Sequence, residues 1–323
     1  MCGLIGGYGE PSDAGLAALA HRGPDAHAIV RLGRAWLGHT RLAILDLDPR
    51  SDQPFRRGPL TLVYNGEAWN YVEVREELRA LGEVFVTSGD TEVVAAALLR
   101  WGPEAALLRL DWMGALAWVV DGEDVLRLAR DRFGEVPLHV SAALPFRFAS
   151  ELKALLAAGC VPRSFVDVGP GELWEVSERR IERRTRWYDP PVVPDLGATA
   201  LLTGDWYAYR HDLVLSQARK NFPRANKAFL SRGVECRLPF LHPPLVERAL
   251  SLPRHVVQNF HGAPSQHRKA IISEAYRGVL PDEVVDRRKT PFQVGLGQDA
   301  HIARVLPDPR RFYAAEYRGA FGG

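Results

Sequence analysis

The pattern of apolar and polar positions divides the 323-residue chain into a first part of short strands and helices and a second part that is mostly helical. "MCGLIGG" at the start and "RAWLGHTRLAIL" at 34–45 are apolar, rich in strand formers and bounded by turn residues, so both predict strands. "WNYVEVREELRALG" places Tyr71, Val74, Leu78 and Leu81 on one face of a helix that Gly82 can end. "SGDTEVVAAALLRWG" predicts a second helix, with Asp90 or Thr91 able to cap its start. "ALAWVV" and "VLRLAR" flank the turn "DGED" and predict a hairpin, and "GELWEVSERRIERRTRWYD" predicts another. "DPPVVPDLGA" has the proline and glycine content of a linker. Beyond it "HDLVLSQARKNF" and "SQHRKAIISEAYRG" carry a helical period, while "LPFLHPPLVERALSLP" is apolar and punctuated by proline. The tail from Pro307 shows no clear period.

Length and composition narrow the reading only slightly. A chain of this length suits two domains, and 46% hydrophobic with 25% charged residues is ordinary for a soluble globular protein. A net charge of +2 gives no electrostatic reason to expect nucleic acid or an acidic membrane as partner. Three cysteines (Cys2, Cys160, Cys236) lack metal-ligand spacing and suggest a reducing setting. The start shows no signal-peptide pattern and no apolar stretch approaches a membrane span, so a cytoplasmic protein is expected.

Candidate chemistry begins at Cys2. Removal of Met1 would give that residue both a thiol and a free α-amine, and an amine beside a nucleophile can serve as its base. The alternative is a small hydrophobe opening a buried strand. "HRGPD" (21–25) sets a fixed-φ proline and a glycine among charged groups, which predicts a rigid loop. Arg41 in "GHTRLAIL" could clamp a carboxylate through two parallel hydrogen bonds, or merely lean from a strand edge. Asn65-Gly66 in "YNGEAWNY" could face a developing oxyanion, or form a hairpin turn. Asp90 could hold an ammonium group, or cap a helix.

Taken together, "MCGLIGG", "HRGPD", "GHTRLAI", "YNGEAWNY", "SGDTEV", "ARDRFGEVPL" and "FASELKALL" resemble, in order, the glutaminase domain of class II glutamine amidotransferases. Within that class the resemblance is to the glutamine-hydrolysing asparagine synthetase family. It implies an α+β protein whose residues 2–190 form the four-layer αββα sandwich of N-terminal nucleophile hydrolases. It also implies Cys2 as nucleophile, with Asn65 and the Gly66 N–H stabilising the oxyanion. By the same resemblance Arg41 would bind the α-carboxylate of glutamine and Asp90 and Glu67 its α-ammonium group, with the backbone of Leu42, Ala43 and Ile44 lining the pocket. His21 and Arg22 would shape the loop.

After a linker at 191–200, residues 201–306 resemble later segments of the synthetase domain, in "LLTGDWYAYR", "SRGVECRLPFL" and "RKAIISEAYRGVLPDEVVDRRKTPF". The family's phosphate loop, Ser-Gly-Gly-x-Asp-Ser, is missing, since consecutive glycines occur only at Gly6-Gly7 and Gly322-Gly323. Gly204-Asp205 lacks the acidic pair that serves magnesium in the family, and His242 stands where the family has Asp. Lys289 and Glu235 then read as remnants. The expectation is a reduced, mainly α-helical remnant domain ahead of a tail at 307–323, with no metal site, no ATP or magnesium as cofactor and no asparagine synthesis. Three functions stay open. The chain could release ammonia from glutamine to a partner enzyme or acceptor, pass the γ-glutamyl group to an amine or hydroxylamine-like acceptor, or act as a non-catalytic scaffold. A homodimer is conceivable.

Overall fold

The computed structural model describes residues 2–190, 211–212, 214–217, 238, 241–252 and 277–279. Contacts divide the chain into two compact units, 1–250 and 251–323. Of the second unit only residues 251, 252 and 277–279 are described, with Gly278 at a positive φ of 79°. The expected linker at 191–200, the tail at 307–323, Cys236, Glu235 and Lys289 lie outside the described residues.

The first unit stacks four layers. One six-stranded antiparallel sheet runs β10 (Phe165–Asp167), β8 (His139–Ser141), β9 (Arg147–Ala149), β1 (Gly3–Tyr8), β3 (Ala35–Arg41), β2 (Ala26–Leu32). The other runs β12 (Ile181–Arg186), β11 (Glu172–Val176), β7 (Leu126–Arg130), β6 (Trp112–Val120), β5 (Leu60–Ala68), β4 (Phe55–Arg57). The strands that matter for the site are β1 (Gly3–Tyr8), β3 (Ala35–Arg41), β5 (Leu60–Ala68) and β6 (Trp112–Val120). Helices α1 (Asp13–Ala17) and α5 (Leu152–Ala157) cover the first sheet through a core of Ile5, Leu16, Leu19, Trp36 and Leu155. The second sheet is covered by α2 (Tyr71–Ala80), α3 (Asp90–Trp101) and α4 (Pro103–Arg109) over Leu62, Tyr64, Val93, Leu107 and Trp118. Between the sheets lies a third core with Leu4, Leu37, Val63, Ala117, Leu128 and Trp174. Side chains that alternate along the central strands serve both neighbouring layers, so β1, β3 and β6 are buried on both faces while the edge strands β2 and β12 are largely open.

Local details follow the sequence with a few departures. Val74 and Leu78, four apart, bury the inner face of α2, and Gly82 ends the helix at a φ of 93°, which its missing Cβ permits. Leu81 does not join that face and is exposed, because the helix has already closed at Ala80. Gly89, not Asp90 or Thr91, is the N-cap of α3, and no side chain caps it. The strand expected over 34–45 stops at Arg41, and residues 42–45 turn away as loop. Asn65-Gly66 makes no hairpin turn; it lies inside β5, opposite Ala115 and Gly114 of β6. The helical residues 211–212 and 214–217 agree with the period of "HDLVLSQARKNF". Helix α6 (Pro243–Ser251) buries Val246 and Leu250 against Phe133, so this apolar face is covered by a residue of the four-layer domain.

Candidate active site

The pleat decides which polar side chains meet. In β1, Leu4 and Tyr8 enter the core between the sheets while Ile5 faces α1 and α5, so the two-residue period carries Cys2 to the inter-sheet side. In β3, Ala35 and Leu37 face inward and Trp36 outward, which sends His39 and Arg41 to the same side. In β5, Val63 faces inward while Leu62 and Tyr64 face the helices, which does the same for Asn65 and Glu67. A pocket forms there, lined by Cys2, Arg41, Leu42, Ile44, Gly66, Glu67 and Asp90. Of the residues singled out from the sequence, Ala43 and Asn65 are not among its walls: the Ala43 N–H donates to Asp25 Oδ2 at 2.7 Å, and Asn65 is buried beside wall residues Tyr64 and Gly66.

Cys2 sits beside the backbone where β3 ends. Leu42 N–H donates to Cys2 Sγ at 3.4 Å, and Sγ lies 3.7 Å from Leu42 O. Burial pushes the thiol pKa up, against the opposing pull of the Leu42 N–H and of the positive chain terminus, Arg22 and Arg41. A thiol so placed is protonated at neutral pH and would need a base to act as a nucleophile.

The Cys2 backbone is held from behind. Fully buried Arg22 donates from Nε to Cys2 O at 2.8 Å and from Nη1 to Glu151 Oε1 at 2.8 Å. His21 and Lys153 approach the same carboxylate at 3.0 and 3.3 Å. Burial would raise the Glu151 pKa, but Arg22, Lys153 and His21 together hold it below the ordinary carboxylate range. "HRGPD" therefore acts as a brace: Arg22 positions the Cys2 main chain, and Asp25 ties down the loop after β3.

Asn65 is fully buried, and among the described residues neither Nδ2 nor Oδ1 has a hydrogen-bond partner. Leaving a buried amide unpaired costs about 1–3 kcal/mol, and strain of this kind concentrates at functional sites. The residue before it is fixed on both of its backbone groups. Gln53 Oε1 accepts from Tyr64 N–H at 2.5 Å, and Gln53 Nε2 donates to Tyr64 O at 3.2 Å. His39 Nε2 reaches the same carbonyl at 3.3 Å. Burial, with the charge of Arg41 nearby, drives the His39 pKa down to about 3, so the ring is neutral. Because a carbonyl only accepts, the proton of that neutral ring resides on Nε2. Gly66 is required by space: a Cβ there would stand 2.0 Å from Met113 O across the β5–β6 pair.

Arg41 is buried and already engaged. Its Nη1 donates to Asp52 Oδ1 at 2.5 Å and to Asp48 O at 3.2 Å, and its Nη2 to Asp46 O. Asp90 is buried in the first turn of α3, where its Oδ2 accepts from Ala68 N–H at 3.0 Å. His39, Gln53 and Glu151 escaped the sequence reading. His39 and Glu151 stand inside recognisable stretches but without a charge pattern of their own, and Gln53 lies in none. Among the described residues no group of His, Cys, Asp and Glu is arranged to hold a metal ion, and no helix is long and apolar enough to cross a membrane.

Comparison with known proteins agrees with this geometry. Residues 1–172, more than half of the chain, match the family of the glutamine amidotransferase domain, and residues 195–309 match that of asparagine synthase. Glutamine-hydrolysing asparagine synthetase 1 of Bacillus subtilis is 34% identical over 172 residues, covering 49% of this chain and 27% of the relative. Glutamine-hydrolysing asparagine synthetase 3 of Arabidopsis thaliana is 35% identical over 185 residues, covering 54% and 30%. The chain thus spans less than a third of the length of these curated relatives. Among solved structures, the glutamine phosphoribosylpyrophosphate amidotransferase of B. subtilis, complexed with ADP and GMP, superposes with a TM-score of 0.51 at 25% identity. That match covers 58% of this chain and 49% of the other. With an N-terminal cysteine between two antiparallel sheets and this set of relatives, the chain belongs to the glutamine amidotransferase domain family, as a class II enzyme of the asparagine synthetase type.

Proposed function

We propose that the chain cleaves the side-chain amide of glutamine through Cys2 and releases ammonia without ATP-dependent asparagine synthesis. The observation that carries this reading is the Asn65 amide, buried and without a partner among the described residues, on the inter-sheet side to which Cys2 also points. Cys2 Sγ adds to the amide carbon of glutamine, and the thiol proton passes to the α-amine that Met1 removal exposes. Asn65 Nδ2 and the Gly66 N–H stabilise the oxyanion; one such donor is typically worth about 10²–10³ in kcat. The α-amine then returns the proton to the leaving nitrogen, ammonia departs, and a γ-glutamyl thioester remains. Water attacks that thioester, giving glutamate and the free thiol.

Arg41 takes the α-carboxylate of glutamine, Asp90 and Glu67 take its α-ammonium group, and the loop from Leu42 to Ile44 forms the wall. What supports the ATP-independent part is the sequence, which lacks the Ser-Gly-Gly-x-Asp-Ser loop ahead of the segments that resemble a synthetase. The test is glutamate and ammonia release from glutamine, without ATP, by protein whose N-terminal mass shows loss of Met1. Release in equal amounts that vanishes in Cys2→Ala supports the reading. Processed protein that yields neither ammonia nor, with added hydroxylamine, a γ-glutamyl hydroxamate overturns it in favour of a scaffold.

A further inference from the structure

Past the end of β5 the chain leaves the glutamine pocket and enters a second cavity of about 570 Å³, within the size range of small-molecule sites. Its walls differ in kind from those around Cys2, and the two pockets share no lining residue. Trp69, Trp112 and Phe133 supply aromatic surface, and Leu238, Leu241 and Leu245 supply aliphatic surface. Set into this apolar lining are two carboxyl groups, Asp111 and Glu135.

The cations nearby leave Glu135 unanswered. Arg132 also lines the cavity, but its Nη1 and Nη2 donate to Leu110 O and Leu108 O, both at 2.8 Å, and its guanidinium lies 5.3 Å from the rings of Trp187 and Tyr188. His242 Nε2 pairs with Asp111 Oδ2 at 3.1 Å. No hydrogen bond or ion pair is made by the Glu135 carboxyl among the described residues; only its backbone N–H is used, donating to Asp131 Oδ1 at 2.9 Å. Burial, with the nearby charges of Asp131 and Asp111, pushes the Glu135 pKa up to about 9, so the carboxyl keeps its proton until a cation arrives.

We propose that this cavity binds a small organic ammonium ion with a flat apolar body, its charge on Glu135 and Asp111 and its body against Trp69, Trp112 and Phe133. Ring faces attract cations and a desolvated carboxylate prefers one. Among the described residues the lining cations are turned to other partners, Arg132 to two backbone carbonyls and His242 to Asp111. The inference goes beyond glutamine cleavage and does not depend on Cys2.

Calorimetric titration of the full chain tests it with three probes of one shape: phenethylammonium, phenethyl alcohol and phenylacetate. The ammonium is expected to bind at least about tenfold more tightly than the alcohol, and phenylacetate more weakly than either. Glu135→Gln should reduce the ammonium to the affinity of the alcohol, and Asp111→Asn should weaken it several-fold, so that failure of either variant to fold leaves the other. Trp69→Ala should weaken ammonium and alcohol together, while Cys2→Ala changes none of the three. Equal affinity for the three probes, preference for phenylacetate, or an ammonium preference that survives both carboxyl substitutions would overturn the proposal.

Discussion

The two cavities lie on either side of the end of β5, with Glu67 in one and Trp69 in the other, and they are built from opposite materials. The glutamine pocket is assembled from main-chain turns and polar side chains held by their neighbours: Leu42 on the thiol, Gln53 and His39 on Tyr64, Arg22 on Cys2 O. The second cavity is walled by rings and aliphatic groups, with a carboxyl that has no described partner. One site arranges dipoles in advance for a charge that develops during reaction, and the other keeps a latent charge for a ligand that brings its opposite. The difference explains why the polar groups left without a partner among the described residues differ: a neutral amide at Asn65, a carboxyl at Glu135.

The largest expected effect breaks the first site and spares the second. Asn65→Ala should lower kcat for glutamine cleavage by about 10²–10³ with KM little changed, because the lost donor acts on the oxyanion rather than on bound glutamine. Phenethylammonium affinity should stay as in the parent chain. Steady-state kinetics with the calorimetric titration decide it, and a rise in KM at constant kcat would make Asn65 a substrate-binding residue instead.

Stability against pH sharpens the comparison, because the buried titratable groups of the two sites act on opposite limbs. His39 has its pKa lowered from 6.5 to about 3, so the unfolded chain binds the extra proton first and stability falls as the pH drops from about 6.5 towards 3. Glu135 has its pKa raised from 4.5 to about 9, so its contribution is fully present below about 4.5 and is lost as the pH rises towards 9. His39→Gln should flatten the acid limb and Glu135→Gln the alkaline limb, at about 2–4 °C in Tm per kcal/mol. Thermal unfolding between about pH 4 and pH 9 reads both, and a substitution that moved both limbs alike would contradict this assignment.

The two sites were not equally legible. Cys2, Arg41, Asn65, Gly66 and Asp90 stand in short contiguous stretches, each with a chemical type that suggests its work, and the fold brings those stretches together from both sheets and the start of α3. The two hairpins and the helices α2 and α3 were legible for the same reason, since turn residues and periodicity are local signals. Gln53 was not, because its role arises from a loop folding back on β5, and glutamine has no periodic signature. The second cavity was wholly hidden. Trp69, Asp111, Glu135 and His242 come from four separate segments, and each taken alone reads as an ordinary surface or core residue. His242 stood out only as a departure from a family pattern, and its structural meaning is the pair with Asp111.

The smallest expected effect lies within the glutamine pocket, at the one place where its arrangement opposes the function proposed for it. Arg41 is to receive the α-carboxylate of glutamine, yet its Nη1 already donates to Asp52 at 2.5 Å. The guanidinium is buried while the Asp52 side chain is 39% exposed, so the carboxylate is the partner that can leave at little cost. Substrate and Asp52 then compete for one donor, and half-exposed pairs of this kind are worth up to about 1 kcal/mol. Asp52→Asn weakens the competitor without emptying its place, and KM for glutamine should fall by about two- to fivefold with kcat unchanged. A rise in KM would mean that Asp52 holds the guanidinium in the orientation the substrate needs, and Arg41 would then be a donor prepared by Asp52 rather than contested by it.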